Sequence, residues 1–534
     1  MKAQICGIGG WLCLMLAGST SGAATFHYVD VNSTNPVSPY LDWSTAATNI
    51  QQAVNAGAAL DVLLVADGIY RPAQNASITL SVSRNLEIHS LNGPDTTIIE
   101  GATNQTLARG VDLSSQCVLD GFTIRQGGLT SEPSGVRVTS PASAVVTNCI
   151  IAGNRSGGVF VASGRVSFIN CAITNNGGPG TAVGTPGMCS LTNCTAMGNS
   201  GVGISSSLLF QCVVSGNLQG GISFSTAYDC QITNNLWRGA NWSWLHRCLV
   251  MGNSSTNLSG AGVADSIVEN SLIISNHASG PAMAGAVYSS TSGSSTLVNC
   301  TVAFNSTIGG ACLVGYPFLT NCIIFGNQGP GTYVANNFIM ARNCCTTPAG
   351  GRGCFTNEPR FMDAANGDFR LQPDSPCINA GLNRASTNSV DYTANARIVG
   401  GTVDVGACEY QTPSSVLSYV WAQTYGVSTD GSADFADPDG DGMNNWQECQ
   451  AGTNPGDAAS VLKLLSIQPD FAGTTVKWQT VDKVSYYLQR STNLALPSSF
   501  ITLKSNIDGQ FGSATYRDFE ATSAGPFFYR VGVQ

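Results

Sequence analysis

Charge is scarce in this chain of 534 residues. Only 10% of the residues are charged, whereas ordinary soluble domains carry about 25%. No lysine lies between Lys2 and Lys463. The net charge of −9 disfavours a nucleic-acid partner, because such a partner requires a basic surface. A hydrophobic content of 43% argues against a disordered chain, which would combine high charge with few apolar residues.

Long apolar runs are also missing. No run of about 18 apolar residues follows the N-terminus, so the sequence predicts no transmembrane helix. Residues 1–23 do resemble a secretory signal, with Lys2, a short apolar core at Ile5–Ala17 and small residues at Ser21–Ala23. The sequence therefore predicts an exported protein that is either secreted or displayed on the cell surface.

What the chain has is a repeat marked by cysteine. Nine cysteines recur at steps of 18 to 29 residues, and Ser271 takes the place of a tenth. A period of about 22 residues is typical of a solenoid. The cysteines of the repeat are Cys149, Cys171, Cys194, Cys212, Cys230, Cys248, Cys300, Cys322 and Cys344.

Each cysteine is surrounded by the same residue types. Apolar residues lie three positions before it and two positions after it, as Leu245 and Val250 do around Cys248. An asparagine commonly precedes it, and another follows five positions later. Asparagine and glycine tolerate the left-handed backbone of sharp bends. The pattern therefore predicts short strands separated by bends, which stack as the coils of an all-β parallel β-helix with ladders of asparagine side chains.

The segment before the repeat predicts a cap. Residues 45–56 have helical spacing of apolar residues, and residues 61–70 read as a strand and a turn. This segment resembles the N-terminal cap of right-handed parallel β-helix proteins of the pectin-lyase-like superfamily, and the resemblance extends through the coils to about residue 410. It implies the fold and not the activity, because that superfamily contains lyases, hydrolases, epimerases, adhesins and inert fibres.

Three further segments follow the coils. Residues 358–361, 368–371, 375–381 and 403–407 resemble the closing choice-of-anchor segment of bacterial surface β-helix proteins, which implies display or secretion. Residues 459–534 alternate as short strands and loosely resemble a fibronectin type III module, a small β-sandwich. The predicted organisation is a signal peptide at 1–23, a capped β-helix at 26–357, a closing segment at 358–410, a linker with a metal loop at 411–458 and the tail at 459–534.

The linker contains a motif for calcium. Residues 437–448 fit the pattern D-x-D-x-D-G-x5-E, which supplies six or more hard oxygen ligands. The loop resembles those of dockerins and thrombospondin type 3 repeats, but it is single, so docking to a cohesin is not expected. A structural Ca²⁺ is predicted, with side-chain ligands and one backbone carbonyl from Asp437, Asp439, Asp441, Met443, Asn445 and Glu448.

The cysteine ladder allows two redox states. Adjacent coils lie about 4.8 Å apart, close enough for disulfides, but parallel side chains do not easily reach the torsion of about 90° that a disulfide needs. We therefore expect buried reduced thiols. A disulfide between Cys377 and Cys408 in the closing segment remains open, with even weight on either outcome.

One group of residues suggests a site. Positions two, four and six before the cysteine are expected to face outward, which places Tyr228, His246 and Glu269 in one line across successive coils. Tyr228 or His246 is the candidate base, with Glu269 orienting His246. Aromatic side chains suit the apolar faces of a sugar ring. The candidate substrate-binding residues are Phe224, Trp242, Trp244, Asp265 and Arg247.

Charge decides between the functional alternatives. Residues 130–345 contain four acids and no lysine, whereas enzymes of the pectin-lyase-like superfamily need outward clusters of charge. The favoured function is a non-catalytic, monomeric surface or secreted protein for adhesion or binding of an extracellular, neutral glycan. The alternatives are a polysaccharide lyase or glycoside hydrolase centred on the Tyr228 line, and a purely structural surface protein.

Overall fold

Parallel sheets run the length of the repeat region in the computed structural model, which describes residues 24–73, 76–101, 109–128, 134–178, 189–256, 260–281, 284–290, 293–330, 334–335, 340–347, 350–482, 484–522 and 525–533. The three largest sheets contain 16, 13 and seven strands. Neighbouring strands come from successive repeats and pair in parallel. Each repeat is therefore one coil, and the predicted all-β parallel β-helix is confirmed.

The strand bounds follow the repeat. The first sheet contains Phe26–Val29, Val62–Val65, Glu87–Ser90, Val118–Asp120, Val136–Thr147, Val159–Ile169, Cys189–Thr192, Ser207–Phe210, Thr226–Tyr228, Trp244–His246, Ile267–Glu269, Thr296–Val298, Phe318–Thr320 and Met340–Arg342, with Ile78–Val82 and Arg109–Leu113 on a side branch. The second contains Gly68–Tyr70, Thr97–Glu100, Thr123–Arg125, Ile150–Ala152, Ala172–Thr174, Thr195–Met197, Val213–Ser215, Gln231–Thr233, Leu249–Met251, Leu272–Ile274, Thr301–Ala303, Ile323–Phe325 and Cys345–Thr346. The third contains Ile204–Ser205, Ile222–Ser223, Ala240–Asn241, Val263–Ala264, Val287–Tyr288, Leu313–Val314 and Val334–Ala335, and a fourth contains Ser254–Ser255, His277–Pro281 and Ser306–Gly309.

The predicted cap covers the first coil. Helix α1 spans Ile50–Ala56, and its Ile50, Ala53 and Val54 side chains are buried in the coil core. The helix begins later than its apolar spacing indicates, because Asn49 caps it by accepting a hydrogen bond from the Gln51 N–H at 2.8 Å. A short 3₁₀ helix, Trp43–Thr45, precedes it.

An inner asparagine ladder runs through the core. These are the nine asparagines five positions after the repeat cysteines from Cys149 to Cys322 and after Ser271, and all nine are buried. Asn235 accepts from the N–H and the Nδ2 of Asn217 at 3.0 and 2.9 Å, and it donates to the Val214 carbonyl and to Asn253 Oδ1, both at 2.9 Å. The expected side-chain ladder is therefore present. The ladder consists of Asn154, Asn176, Asn199, Asn217, Asn235, Asn253, Asn276, Asn305 and Asn327.

A second row, the outer amide column, lies immediately before the cysteines. Its residues have φ angles between 47° and 55°, so they form the left-handed bends that the sequence indicated. The inner ladder residues do not have positive φ, because in those bends the left-handed residue is the one before the asparagine, as at Asn234 and Gly252. The outer amide column consists of Asn148, Asn170, Asn193, Gln211, Asp229, Arg247, Asn270, Asn299, Asn321 and Asn343.

All 17 cysteines of the described chain are free thiols, and all but Cys354 and Cys449 are buried. Within the row of repeat cysteines, the N–H of Cys171 donates to Cys194 Sγ at 3.4 Å, and the N–H of Cys212 donates to Cys230 Sγ at the same distance. Burial raises the pKa of Cys189 to about 12 and that of Cys408 to about 12, which suppresses the reactive thiolate. Cys377 and Cys408 are not bonded to each other.

Thiol titration checks this redox state. When the purified mature protein is denatured without reductant, we expect it to react with close to 17 equivalents of a thiol reagent. The native protein should react slowly, because a buried, protonated thiol is a poor nucleophile. A reduced and re-purified sample serves as the control for the maximum. A count well below that of the control would show that disulfides form and would contradict the expectation.

The closing segment turns back over the coils, and its apolar residues pack against Leu272, Ile274 and Ile323 of the second sheet. It begins with the antiparallel strands Phe361–Asp363 and Asp368–Leu371, which flank the 3₁₀ turn Ala364–Asn366. Residues 380–390, which we call the strap, then run along the outer amide column in the direction opposite to the coils. Behind the strap, Arg397 is fully buried and donates to the carbonyls of Asp404 and Gly406 at 2.8 and 2.9 Å.

Two short helices and a small sandwich complete the chain. Helix α2, Tyr419–Tyr425, precedes the predicted metal loop, and helix α3, Asn445–Ala451, contains the last four residues of that loop. The remaining 3₁₀ turns are Asn383–Ala385 and Pro497–Ser499. The predicted tail sandwich has one antiparallel sheet of Leu464–Asp470, Gly473–Thr480 and Gly512–Asp518, and another of Ile501–Asp508, Ser485–Ser491 and Phe528–Val533.

The tail has its own core and contacts the coils. Val476, Trp478, Tyr486 and Leu488 pack between the two sheets with almost no exposed surface. Asp508 of the tail forms an ion pair with Arg352, just beyond the last coil. Among the described residues, no helix is long and apolar enough to cross a membrane.

Candidate functional site

The sequence prediction placed Tyr228, His246 and Glu269 in one line, and the strand register places them so. Tyr228 pairs with His246, and His246 pairs with Glu269, in adjacent strands of the first sheet. Phe210 extends the line by one coil. The Phe210 and Tyr228 rings stack with centroids 5.2 Å apart, and the Tyr228 and His246 rings stack at 4.7 Å. This continuous row of parallel rings is the first part of the site.

Glu269 holds His246 from the next coil. His246 Nδ1 lies 3.3 Å from Glu269 Oε2, and the strap residue Asn388 donates to the same oxygen at 2.7 Å. The hydrogen bond with His246 lowers the pKa of Glu269, burial opposes that effect, and Asn388 adds to it. Glu269 is therefore ionised at neutral pH beside the imidazole, whereas a general acid needs a carboxyl group that stays protonated.

A second row of rings lies beside the first. The Phe224 and Trp242 rings are nearly parallel, with centroids 6.5 Å apart. Trp244 stands between the two rows on the strand Trp244–His246, and its side chain is 56% exposed. Phe224 is 62% and Trp242 40% exposed. We call the six side chains Phe210, Phe224, Tyr228, Trp242, Trp244 and His246 the ring platform.

Phe224 and Trp242 do not lie on the strand, contrary to the simple alternation from which they were predicted. Both have left-handed φ angles, 49° and 48°, because the chain bends there before entering the first sheet. A buried serine ladder fixes the bend: the Ser225 N–H donates to Ser243 Oγ at 3.2 Å, and the Ser243 N–H donates to Ser266 Oγ at 3.1 Å. The sequence carried this signal, a serine five positions before the cysteine, and it was missed.

Asp265 closes one end of the second row. In the coil after that of Trp242, Asp265 occupies the equivalent left-handed position. Its Oδ1 accepts a hydrogen bond from the Ser290 N–H at 2.7 Å. A Cβ at Gly293 would lie 2.6 Å from Trp242 Cη2 and 2.9 Å from Asp265 Cγ, so only glycine fits in this place. Asp265 thus fastens a loop against the platform, and its carboxylate is already engaged.

Arg247 is neutralised by its neighbour. Its Nε and Nη2 donate to the two carboxylate oxygens of Asp229, each at 2.7 Å, and this pair raises the pKa of Arg247. Each of the predicted polar site residues on the coils therefore has an intramolecular partner. Arg247 and Asp229 form an ion pair, His246 lies against Glu269, and Asp265 accepts from a backbone N–H, whereas Phe224, Trp242 and Trp244 remain exposed.

The metal loop lies far along the chain from the platform and forms its own site. Gly442 has a φ of 95° and makes the expected sharp turn. Asp437 accepts from the N–H groups of Gly440 and Gly442 at 2.9 and 3.1 Å. One oxygen of each of Asp437, Asp439 and Asp441 lies within 4.8 Å of the others, so the three carboxylates converge.

Four buried oxygens that lack a hydrogen-bond donor indicate whether a cation fits this loop. Asp439 Oδ2, Asp441 Oδ2, Asn445 Oδ1 and Glu448 Oε2 are buried and accept no hydrogen bond. Glu448 is fully buried, and burial together with Asp439 and Asp441 raises its pKa to about 7. Buried acceptors without donors are rare unless an ion or water is bound. All four come from predicted side-chain ligands and are hard oxygens, so the residues present fit Ca²⁺.

Comparison with known proteins agrees with the fold. A family model described as "Right handed beta helix region" matches residues 134–259. Similar solved structures include pectate lyase Pel9A, at 15% identity over 72% of this chain and 96% of that chain with a TM-score of 0.39. The A-module of the Azotobacter vinelandii mannuronan C-5 epimerase AlgE4 is 12% identical over 55% and 90% of the two chains, with a TM-score of 0.30. No curated protein matches the chain.

Proposed function

We propose that this is an exported, non-catalytic protein that binds a neutral extracellular glycan on the ring platform. The observation that carries the proposal is the pair of parallel ring rows, in which Phe210, Phe224 and Trp242 are exposed and Tyr228 and His246 are half-buried, with the exposed Trp244 between them. Rings within a row cover one another's faces, so the apolar surface on which a sugar ring can pack is that of the exposed Trp244, Trp242 and Phe224 side chains. An exposed aromatic patch with a few polar groups at its edge is typical of a binding site.

Charge supports a neutral ligand. Arg247 is paired with Asp229, His246 lies against Glu269, and Asp265 accepts from Ser290. A uronic acid polymer needs cations that are free to pair with its carboxylates. The platform offers neutral rings and pre-formed ion pairs, so a glycan without charged groups fits it better.

The same contacts support binding rather than a lyase or hydrolase reaction. Glycosidases need one carboxyl group that is protonated at working pH and a second that is ionised. The pKa of Glu269 is lowered, and Asp229 and Asp265 already accept strong hydrogen bonds. The Tyr228 ring is stacked between the rings of Phe210 and His246, so its role there is packing.

Glycan retention tests the proposal. In affinity electrophoresis against a panel of neutral polysaccharides, the Trp242→Ala, Trp244→Ala double variant should lose the retention shown by the wild type. Loss of a central aromatic contact costs roughly 2 kcal/mol, or about thirtyfold in Kd for each ring. Trp237→Ala is the matched control, because Trp237 is also exposed and also has a left-handed φ, but it lies outside the platform.

Three results would contradict it. Retention that is unchanged in the double variant would remove the platform from the binding site. Release of reducing ends or unsaturated sugars by the wild type, and loss of that release in His246→Ala, would replace binding by catalysis. Wild-type protein without retention on any glycan would favour the purely structural alternative.

We also propose that the loop Asp437–Glu448 binds one structural Ca²⁺. The four unpartnered buried oxygens carry this proposal. Asp437, Asp439, Asp441, Asn445 and Glu448 would hold the ion through side chains, and Met443 through its carbonyl. The ion would neutralise four crowded acids, Asp437, Asp439 and Asp441 before helix α3 and Glu448 within it, which adds stability without any role in chemistry.

A further inference from the structure

The outer amide column is covered along one half and exposed along the other. Under the strap, Asn270, Asn299 and Asn321 are almost completely buried. Toward the N-terminus the column continues past the Arg247–Asp229 ion pair, and the amides there are exposed to solvent. The exposed amides are Asn148, Asn170, Asn193 and Gln211.

Main-chain atoms of the strap make most of the contacts in the covered half. Asn321 Nδ2 donates to the Leu382 carbonyl at 3.2 Å, and the Leu382 N–H donates back to Asn321 Oδ1 at 2.7 Å. Asn343 Nδ2 donates to the Ala380 carbonyl at 3.2 Å, and Asn270 Nδ2 donates to the Val390 carbonyl at 3.3 Å. These groups are present in any polypeptide, and the strap supplies them from an irregular segment that includes the 3₁₀ turn Asn383–Ala385, so the column recognises main-chain groups more than particular side chains.

The exposed half presents the same groups in the same way. The φ angles of Asn170 and Asn193 are both 53°, against 52° and 54° for Asn299 and Asn321. Asn193 Nδ2 donates to Asn170 Oδ1 at 2.7 Å, as Asn321 Nδ2 does to Asn299 Oδ1 at 2.9 Å. An amide nitrogen has two hydrogens, and Asn321 uses the second for the strap. The second hydrogen of Asn193 has no partner in the described part of the chain.

We propose that the exposed half of the outer amide column binds a segment of a partner polypeptide through main-chain hydrogen bonds. Four amides hold residues 380–390 in the covered half, so four exposed amides suit an occupant of similar length. The site continues an interface that the chain itself already forms with polypeptide. That continuity favours polypeptide over glycan on this column, and the site is separate from Trp242 and Trp244, on which the proposed glycan binding depends.

A peptide probe tests this site. The probe is a fluorescein-labelled, end-capped peptide with the sequence of residues 379–391, titrated with the full-length protein and followed by fluorescence anisotropy. We expect saturable binding, and an equal affinity for a scrambled peptide of the same composition. The Asn170→Asp, Asn193→Asp double variant should bind at least about tenfold more weakly, because carboxylates cannot donate to carbonyls. Asp229 has the same backbone conformation in this column, so aspartate fits there.

Controls separate the possible results. Gln231→Glu adds a negative charge at an exposed amide of the second sheet and should leave the affinity unchanged. Circular dichroism verifies folding, and Gln211→Glu replaces the double variant if the latter unfolds. Absence of saturable binding at millimolar protein, or equal binding by the double variant, would overturn the proposal. Loss of glycan retention in the double variant, with no peptide binding by the wild type, would assign the column to glycan instead.

Discussion

Adding Ca²⁺ to the metal-free, full-length protein should produce binding heat with a stoichiometry of one and a higher temperature of unfolding. The four unpartnered oxygens of the metal loop would coordinate the ion, and its charge would offset the burial and the repulsion from Asp439 and Asp441 that raise the pKa of Glu448 to about 7. A ligand at a hundred to a thousand times its Kd stabilises the state that binds it by about 3 to 4 kcal/mol. Isothermal and differential scanning calorimetry measure the two effects.

Substitutions distinguish a built site from nonspecific binding. Glu448→Gln should abolish the binding heat, because it removes the buried carboxylate that closes the ligand set. In Ca²⁺-free buffer the same variant should be at least as stable as the wild type, since one charge fewer opposes Asp439 and Asp441. Asp457→Asn, an exposed acid of the same segment, is the matched control. No heat with the wild type, or an equal loss with Asp457→Asn, would contradict the calcium proposal.

Replacing Asn235 by alanine should destabilise the coils more than any surface substitution nearby. The change removes the acceptor for two Asn217 donors and the donor for Val214 and Asn253, all inside the core. Each buried group left without a partner costs about 1 to 3 kcal/mol, so we expect a total loss of roughly 4 kcal/mol or more. Chemical denaturation followed by circular dichroism measures the free energy of unfolding.

The control for this prediction comes from the same coil. Gln231 is an exposed amide four residues before Asn235, and Gln231→Ala should change the unfolding free energy by less than about 0.5 kcal/mol. Asn235→Asp keeps the shape and the acceptors but loses the amide hydrogens. We therefore expect it to lose more unfolding free energy than Gln231→Ala does. If Asn235→Ala unfolds at the same denaturant concentration as the wild type, the inner ladder does not stabilise the stack.

The repeat made the fold and the alignment of Tyr228, His246 and Glu269 predictable. In a parallel stack, equivalent positions of successive coils lie above one another at about 4.8 Å, so a period in sequence becomes a row in space. The cap helix and the convergence of Asp437, Asp439 and Asp441 were predictable from local patterns as well, because their spacing alone determines which side chains meet.

Contacts over long sequence distances were not predictable. Asn388 reaches Glu269 across 119 residues, and no periodic pattern links the strap to the coils that it covers. The bend at Trp242 was missed for a different reason. Strict alternation assumes an uninterrupted strand, and the buried Ser225–Ser243 ladder interrupts it. Sequence periodicity describes the stack, whereas the partners that cover it come from segments without a repeat.

The strap also imposes an order on folding. Each coil pairs with its nearest neighbours, so the stack can grow coil by coil from the cap as the chain emerges from the ribosome. The strap contacts coils between 37 and 120 residues earlier in the chain, and those contacts form only after the coils have stacked. The outer amides of the coils from Asn270 onward are therefore still hydrated when these coils stack. They lose that water in the last step, when the strap covers them. During that interval both halves of the column are equally accessible to another chain.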